Sequence, residues 1–568
     1  MTLDDRLSDF LDAAYLEELA LSPETATMLG RSEGKDRWGD QSDAGREAEF
    51  RLAERSLARL EAEFPWERLG PGGRLNRRLF AERCRRRLAL EPHHWLLYPV
   101  THMQGAHSAL PMALLTGHQI ATPTDADAYV ARLIGLGPAI DQALEAVEAR
   151  RQRGILAPRL TYPKMIAAAR ALIAGAPFDQ TGPSPLLADF TAKLAALPAD
   201  ARPARIAAAT AALVEHVGPA YRRFIVAMER LAETATDHGL GTLPGGRAAY
   251  AALVRRETTL DLDAAEIVAL GRSQLAHIHD EMRQILVRLD FRSDLPDFFA
   301  WIREAADQHL PNDAAGRDAY LARTQATVDA MQMRLPEIVG RLPKAALEVR
   351  PMAGFSEGSA TAAFYQPPGD AGSRPGYLEV NLQDVSQNPL YQLEALMHHE
   401  GVPGHHLQIA VAMELDDLPL FRRFDICNAH AEGWALYAEK FPKALGFYQD
   451  PFSDFGRLSM AAWRAARLVV DPGIHHDGWS RDQAIRFMTE NTAESPLNIA
   501  IEVDRYFVFP AQATSYAVGL HEIETLRAQA EAALRDRFDL RGFHDALLGS
   551  GSVPLPVLRE IVVDWSRR

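Results

Sequence analysis

The chain has 568 residues, of which 47% are hydrophobic, and a formal net charge of −15. This length and hydrophobic share are enough to bury a large core, whereas the surplus of acidic residues argues against a nucleic-acid partner, because phosphate backbones bind basic surfaces. The two cysteines, Cys84 and Cys427, are too few for a disulfide framework or a cysteine-type zinc site.

The first part of the chain predicts helices. Runs rich in Ala, Leu, Glu and Arg repeat their apolar residues at helical spacing, for example at 204–214 and 264–289. Short breaks rich in Pro and Gly, interleaved with apolar residues, indicate loops between helices. These breaks lie at 175–185, 239–246 and 366–376.

We therefore expect a mostly α-helical protein that forms a single catalytic domain over residues 1–568. In this prediction, residues 1–360 form a helical N-terminal canopy and residues 361–568 carry a candidate metal site. The first six residues lack the basic segment and apolar run of a signal peptide, and no apolar stretch is long enough to span a bilayer. We expect a cytoplasmic protein without a membrane partner.

Residues 361–382 contain few helix signals and many β-formers around Pro367-Pro368-Gly369-Asp370, which is typical of a turn. The pattern predicts a small hairpin or sheet beside the active-site helix. An exposed edge strand there would let a peptide add itself as a further strand, with Tyr365 and Asn381 lining the cleft. A purely structural hairpin fits the pattern equally well.

The segment 397–408 places four histidines and a glutamate within nine residues. Neutral imidazole is a common ligand of zinc, and a Glu beside a ligating His serves in metallopeptidases as the general base toward the attacking water. His399 and Glu400 follow helical spacing, so we expect them near the end of a helix that Pro403 interrupts. His399 is the first predicted ligand and Glu400 the predicted base.

The second ligand is either His405 or His406. On an unbroken helix His406 would share a face with His399 but lie about 10 Å further along the axis, while His405 would point away. A bulge at 401–404 would bring one of them to the ion, and the spacing leaves both open. An exposed histidine cluster that binds metal only incidentally is the structural alternative.

The third predicted ligand is Glu432, in a probable helix at 428–439. Two histidines and a glutamate from a following helix form the ligand set of thermolysin-type hydrolases. Glu439 lies seven residues further on the same face, where it can contact a ligand histidine. An ordinary solvated helix glutamate is the alternative for Glu432.

Further candidates lie closer to the C-terminus. Hydrolysis of an amide creates an oxyanion that needs a neighbouring donor, and His475 and Tyr516 are our candidates. Arg464 and Arg467 are three residues apart on one helix face and could clamp a substrate carboxylate. The alternatives are a structural salt bridge for the arginines and interior packing for His475 and Tyr516.

These residues carry a resemblance to a bacterial family, the domain-of-unknown-function 885 (DUF885) family, whose members look like zinc peptidases of the gluzincin type. The central motif is His399-Glu400-x-x-Pro403-Gly404-His405-His406. Other matching segments are 363–365, 376–382, 432–437, 467–475, 512–516 and 549–555, with weaker matches at 22–27 and 258–259.

The resemblance implies a mostly helical fold similar to angiotensin-converting-enzyme-like and oligopeptidase-like zinc peptidases. It does not imply a particular substrate. One departure from the family pattern stands out: the family usually has Pro-Gly-Gln-Ala where this chain has Pro510-Ala511-Gln512-Ala513.

Together, these observations predict a zinc-dependent hydrolase with one Zn²⁺ per chain that cleaves an amide bond in a short peptide or peptide-like metabolite. Two alternatives stay open. One is a metal-dependent enzyme of another kind, such as an amidohydrolase or lyase of secondary metabolism. The other is a non-catalytic binding protein of the same fold.

Overall fold

The computed structural model describes residues 1–352, 362–369 and 374–567. The protein is mostly helical, as predicted, and contains one small three-stranded sheet in this described part. The chain divides into two compact units, which are residues 1–239 with 243–245 and residues 240–242 with 246–568. Thr361 and Asp370 of the predicted hairpin lie outside the described residues.

The first unit consists of helices joined by short loops. Its helices are α1 (Leu3–Leu21), α2 (Pro23–Met28), α3 (Asp43–Glu63), α4 (Pro71–Leu88), α5 (Ala106–Met112), α6 (Pro123–Arg151), α7 (Thr161–Leu172), α8 (Pro185–Lys193), α9 (Arg202–Ala212) and α10 (Gly218–Ala232). The amphipathic run at 204–214 corresponds to α9. The core of this unit is built around the buried aromatic side chains of Tyr129, Phe190, Tyr221 and Phe224.

The second unit contains the remaining helices and the sheet. Its helices are α11 (Gly246–Thr258), α12 (Ala264–Arg288), α13 (Leu295–Glu304), α14 (Ala314–Ile338), α15 (Leu390–Glu400), α16 (His405–Met413), α17 (Leu420–Phe424), α18 (Asn428–Lys440), α19 (Pro451–His475), α20 (Arg481–Asn491), α21 (Pro496–Val508), α22 (Ser515–Leu534), α23 (Leu540–Leu548) and α24 (Leu555–Ser566). The run at 264–289 corresponds to α12.

The sheet has the strand order β1 (Leu347–Pro351), β3 (Gly376–Val380), β2 (Ala363–Gln366). β2 pairs with β3 in antiparallel register, with Tyr365 opposite Leu378. This pairing confirms the predicted hairpin. β1 pairs with β3 in parallel and was not predicted, because its partner lies about thirty residues further along the chain.

The sequence predicted a single domain with a canopy at 1–360 and a metal-site part at 361–568, and this stays a prediction. The compact units of the chain divide at 239–246. The long helices α12 and α19 pack against each other, so the helices from α11 onwards belong with the C-terminal part. The break at 239–246, predicted as an ordinary loop, therefore contains the boundary between the units. Among the described residues, no helix is both long enough and apolar enough to cross a membrane.

Candidate metal centre

The turn between α15 and α16 shapes the site. His399 and Glu400 are the last residues of α15, and His405 is the first residue of α16. A Cβ atom on Gly404 would lie 2.0 Å from the carbonyl oxygen of His399, so only glycine lets the chain turn back this closely. The helix therefore breaks where the sequence predicted, and His405 returns towards the end of α15.

His399, His405 and Glu432 meet in one cluster, in which the potential ligand atoms all lie within 4.8 Å of one another. The Nε2 atoms of His399 and His405 are each 3.5 Å from the same oxygen of Glu432, Oε2. Atoms that share a tetrahedral zinc ion at about 2.0–2.1 Å are separated by a similar distance. The side chain of His399 is buried, whereas those of His405 and Glu432 keep 13% and 16% exposure, so the cluster is not sealed from solvent.

Helix α18 carries Glu432 and is tied directly to the turn. The indole Nε1 of Trp434 donates to the carbonyl oxygens of Pro403 at 2.9 Å and Gly404 at 3.2 Å. On the neighbouring face, a Cβ on Gly433 would lie 2.4 Å from the main chain of Gly519. These two glycines let α18 and α22 approach closely, which fixes the helix that presents Glu432.

A second carboxylate orients the buried histidine. Nδ1 of His399 lies 2.7 Å from Oε1 of Glu439, two turns after Glu432 on α18. With its Nδ1 proton donated to Glu439, His399 directs Nε2 at the cluster, where a bound cation would displace the Nε2 proton and take up the lone pair. The contact predicted for Glu439 is therefore present.

The carboxylates in and beside the cluster favour a positive charge there. Burial lowers the pKa of His399, but the carboxylates of Glu432 and Glu439 outweigh it and raise that pKa to about 9. Burial acts to raise the pKa of Glu432, yet the two histidines hold it well below its usual range. The buried Oε2 of Glu432 and Nδ1 of His405 have no hydrogen-bond partner among the described residues. Two imidazoles and an unsatisfied carboxylate form a donor set that fits zinc.

Glu400 is held beside this cluster by the sheet. The main-chain N–H of Tyr365 in β2 donates to Oε2 of Glu400 at 2.9 Å. The other oxygen, Oε1, lies 4.0 Å from Nε2 of His399. The carboxylate thus has one oxygen fixed and the other directed to the cluster.

His406, the alternative to His405, faces the sheet instead. Its Nδ1 lies 3.1 Å from the hydroxyl of Tyr365. Burial lowers the pKa of His406 to about 4, although a contact with the main chain of Ala345 opposes this effect. The turn therefore brings His405 into the cluster and leaves His406 as a neutral packing residue.

Tyr516 lies near the start of α22, where the charge of Glu432 acts on it and its side chain is hydrogen-bonded with Gln512. Burial, and then the negative charge of Glu432, raise the pKa of its hydroxyl, so the group stays protonated and can donate a hydrogen bond. The guanidinium group of Arg467 lies 4.5 Å from the centre of its ring.

A sequence profile described as "Bacterial protein of unknown function (DUF885)" matches residues 23–562. The chain belongs to the DUF885 family. No curated protein matches it.

Two solved structures resemble this DUF885 chain over nearly its full length. One, from Colwellia psychrerythraea and described as a "putative lipoprotein", has a TM-score of 0.94 and 26% identity, with 100% of both chains covered. The other, from Shewanella oneidensis and described as a "putative lipoprotein of unknown function", has a TM-score of 0.74 and 17% identity, with 98% of this chain and 99% of that chain covered. The second likeness shows a shared fold.

The expected role of His475 needs correction. Its Nδ1 accepts a hydrogen bond from the main-chain N–H of Leu240 at 3.0 Å, and its Nε2 lies 2.8 Å from the carbonyl oxygen of Tyr506. The ring is fully buried, and both nitrogens are used by the main chain. In this DUF885 chain His475 joins the end of α19 to neighbouring segments and has no nitrogen left for an oxyanion.

The predicted arginine clamp also differs from the structure. Arg467 binds Glu502 at 2.9 Å and the hydroxyl of Tyr506 at 3.0 Å, whereas Nη2 of Arg464 lies 3.7 Å from Glu439. Both side chains are buried, and each faces a different carboxylate, so they do not form a joint clamp.

Asn381 makes local contacts after β3. Its side-chain oxygen accepts from the N–H of Gln383 at 3.1 Å, and its carbonyl oxygen accepts from the side chain of Asn388 at 2.7 Å. Its role towards a substrate stays a prediction.

The sequence reasoning missed Arg505 and Glu502 on α21. Glu502 pairs with Arg467 and also with Arg505, at 2.9 Å in each case. Arg505 is one of the charged groups that act on Tyr516. The available signal was an opposite-charge pair three residues apart, in a helix that also carries Asp504, and sequence alone does not distinguish such a pair from a surface ion pair.

Proposed function

We propose that the protein is a zinc-dependent hydrolase that cleaves an amide bond in a short peptide or peptide-like metabolite. The observation that carries the proposal is the meeting of His399, His405 and Glu432 beside the fixed carboxylate of Glu400. These residue types in this arrangement match catalytic zinc sites with three protein ligands and one open position.

His399, His405 and Glu432 would hold the ion. When bound, zinc supplies Lewis-acid chemistry, which polarises a substrate carbonyl and makes a nearby water more acidic. Glu400 accepts a proton from the attacking water at Oε1 and transfers it to the nitrogen of the leaving amine. The hydrogen bond from the N–H of Tyr365 to Oε2 keeps Glu400 in place for both transfers.

Tyr516 is the remaining candidate for the oxyanion. Burial, and then the charge of Glu432, raise the pKa of its hydroxyl, so the group keeps its proton and can donate to the oxygen that gains charge in the transition state. Strand β2 is an edge of the sheet in the described residues, and the N–H of Tyr365 bonds Glu400 beside the cluster. A peptide backbone that aligns with this edge would pass next to Glu400.

The first experiment measures the metal content of protein purified without a metal-binding tag. We expect about one zinc ion per chain in the wild type. Glu432→Ala should lose the metal, because the variant removes the carboxylate shared by both imidazoles. Glu490→Ala is the matched control, since Glu490 is exposed on α20. A wild-type protein that stays metal-free after supplementation with zinc would contradict the proposal.

The second experiment tests the role of Glu400. Glu400→Gln keeps an oxygen that can accept the N–H of Tyr365 but cannot take up a proton. We expect the zinc content to be unchanged and turnover to fall by about 10²–10⁴-fold, which is typical for loss of a general base. A panel of dipeptides, blocked peptides and non-peptide amides provides the substrates. Cleavage of non-peptide amides alone would favour the amidohydrolase alternative, and substantial activity in Glu400→Gln would rule out this mechanism.

A further inference from the structure

A pocket lies among α12, α18, α19 and α22 in the second unit. Its volume is about 80 Å³, and its walls include the apolar side chains of Ile278, Leu436 and Leu520. It borders a wider basin of about 470 Å³, and the two share the charged residues Glu281, Lys440, Arg457 and Glu524. This inner pocket extends to Arg464 and to Glu439, the carboxylate that lies at Nδ1 of His399.

Arg464 is the cation of this pocket that lacks a close acceptor. Its nearest carboxylate, Glu439, is 3.7 Å away, its Nη1 contacts the main chain and sulfur of Met460 on its own helix, and its guanidinium carbon lies 4.6 Å from the centre of the Trp463 ring. The Nε atom of Arg464 has no hydrogen-bond partner among the described residues, although the side chain is 94% buried. By contrast, Lys440 pairs with Glu524, and Arg457 binds Asp454 at 2.8 Å.

A second donor lines the same pocket. The amide nitrogen of Gln274 makes a long contact of 3.4 Å with the carbonyl oxygen of Ala517, so it can turn to a better acceptor. The pocket thus combines a buried guanidinium group, an amide and an apolar wall. Three carboxylates also line it, of which Glu524 is paired with Lys440 and Glu281 lies 3.6 Å from Arg457, while Glu439 binds His399. A buried arginine of this kind is best satisfied by a carboxylate, which accepts two parallel hydrogen bonds.

The size of the pocket limits the ligand. A dry cavity of about 150 Å³ is enough for benzene, so roughly half that volume holds a chain of about two to four carbons. We propose that this pocket is a binding site for a small aliphatic carboxylate, with the carboxylate on Arg464 and the chain against Leu436 and Leu520. The site does not depend on the proposed hydrolase activity.

Isothermal titration calorimetry of the full-length protein with propionate, at constant ionic strength, tests this proposal. We expect saturable binding with a dissociation constant on the order of 1 mM, as befits a ligand with few atoms. Propionamide has the same shape without the charge, and should bind at least about tenfold more weakly, because it loses the charge-assisted bond to Arg464. Equal binding of the two compounds, or no saturable binding of propionate at millimolar concentrations, would overturn the proposal.

A pair of variants locates the bound propionate. Ala461 lines the inner pocket alone, and Ala528 lines the outer basin alone. Ala461→Leu should fill the inner pocket and weaken the binding of propionate by about tenfold or more, without removing Arg464. Ala528→Leu adds the same group outside and should leave the binding unchanged. The reverse pattern would place the ligand in the basin and contradict the inference. The comparison of propionate with propionamide needs no variant, so it stands even if Ala461→Leu fails to fold.

Discussion

His405 and His406 are adjacent in sequence but have different neighbours. Consecutive side chains on a helix point about 100° apart, so one can face the cluster while the other faces the sheet. His405 lies 3.5 Å from Glu432, and His406 lies 3.1 Å from the hydroxyl of Tyr365. The two histidines are therefore a natural pair for separating metal binding from packing.

We predict that His405→Ala lowers the affinity for zinc by at least about 10²-fold, because a three-ligand site loses one of its ligands. His406→Ala should keep one zinc ion per chain and lose some stability instead, since it leaves the hydroxyl of Tyr365 without this partner. Competition with a chelator of known affinity measures both effects. Loss of zinc in His406→Ala together with retention in His405→Ala would show that the turn at 401–404 adopts a different path.

At the scale of single residues, local spacing predicted part of the candidate site. Helical periodicity predicted that His399 and Glu400 end a helix and that Glu432 lies on a later one, but it did not predict the two short helices α16 and α17 between them. The choice between His405 and His406 does not, because it depends on how Gly404 packs against the carbonyl of His399. The packing of His475 also escaped prediction, because its partner Leu240 is more than two hundred residues away in the chain.

At the scale of elements, the turn before α22 contains a strained residue. Ala511 has φ +68° and ψ −20°, a left-handed conformation that favours glycine. Its N–H donates to both oxygens of the buried Asp471, at 3.1 and 3.2 Å. The departure that the sequence resemblance indicated at Ala511 therefore coincides with a position where a Cβ is unfavourable.

Ala511→Gly should therefore raise the free energy of unfolding by up to about 1 kcal/mol, since relief of the left-handed strain exceeds the entropy that glycine adds to the unfolded chain. The N–H that binds Asp471 is retained. Chemical denaturation measures the change. Ala513→Gly, two residues later and without a positive φ, is the control and should lower stability by roughly 0.5–1 kcal/mol. Equal destabilisation by both changes would argue against strain at Ala511.

The helices and the hairpin were predictable because their signals are local. Apolar spacing fixed the extents of α9 and α12 to within about two residues, and β-formers on either side of a turn indicated the pairing of β2 with β3. The sequence did not predict β1 or the close packing of α18 on α22, since each depends on a partner distant in sequence. In the second case the signal is a pair of single glycines, Gly433 and Gly519, which any loop could also contain.

At the scale of the whole molecule, the candidate site belongs to one of the two units. The three cluster residues lie on α15, α16 and α18 of the second unit, and the first unit supplies none of them. The sequence could not locate this division, because helical periodicity shows that a segment is a helix and which face is apolar, but not which other helix covers that face. The packing of α12 on α19 decides it.

This arrangement predicts how zinc should affect unfolding. An ion held by three helices binds the native second unit and not the unfolded chain, so it stabilises that unit by about 2.7 kcal/mol at a concentration 100 times the dissociation constant. Adding zinc to metal-free protein should raise the melting temperature, and where calorimetry resolves two transitions, only that of the second unit should move.

Mg²⁺, which prefers oxygen ligands, should have little effect, and Glu432→Ala should abolish the response to zinc. A zinc-induced shift that persists in Glu432→Ala would mean that the ion binds elsewhere. In that variant the cluster has lost its carboxylate, which lies 3.5 Å from both imidazoles.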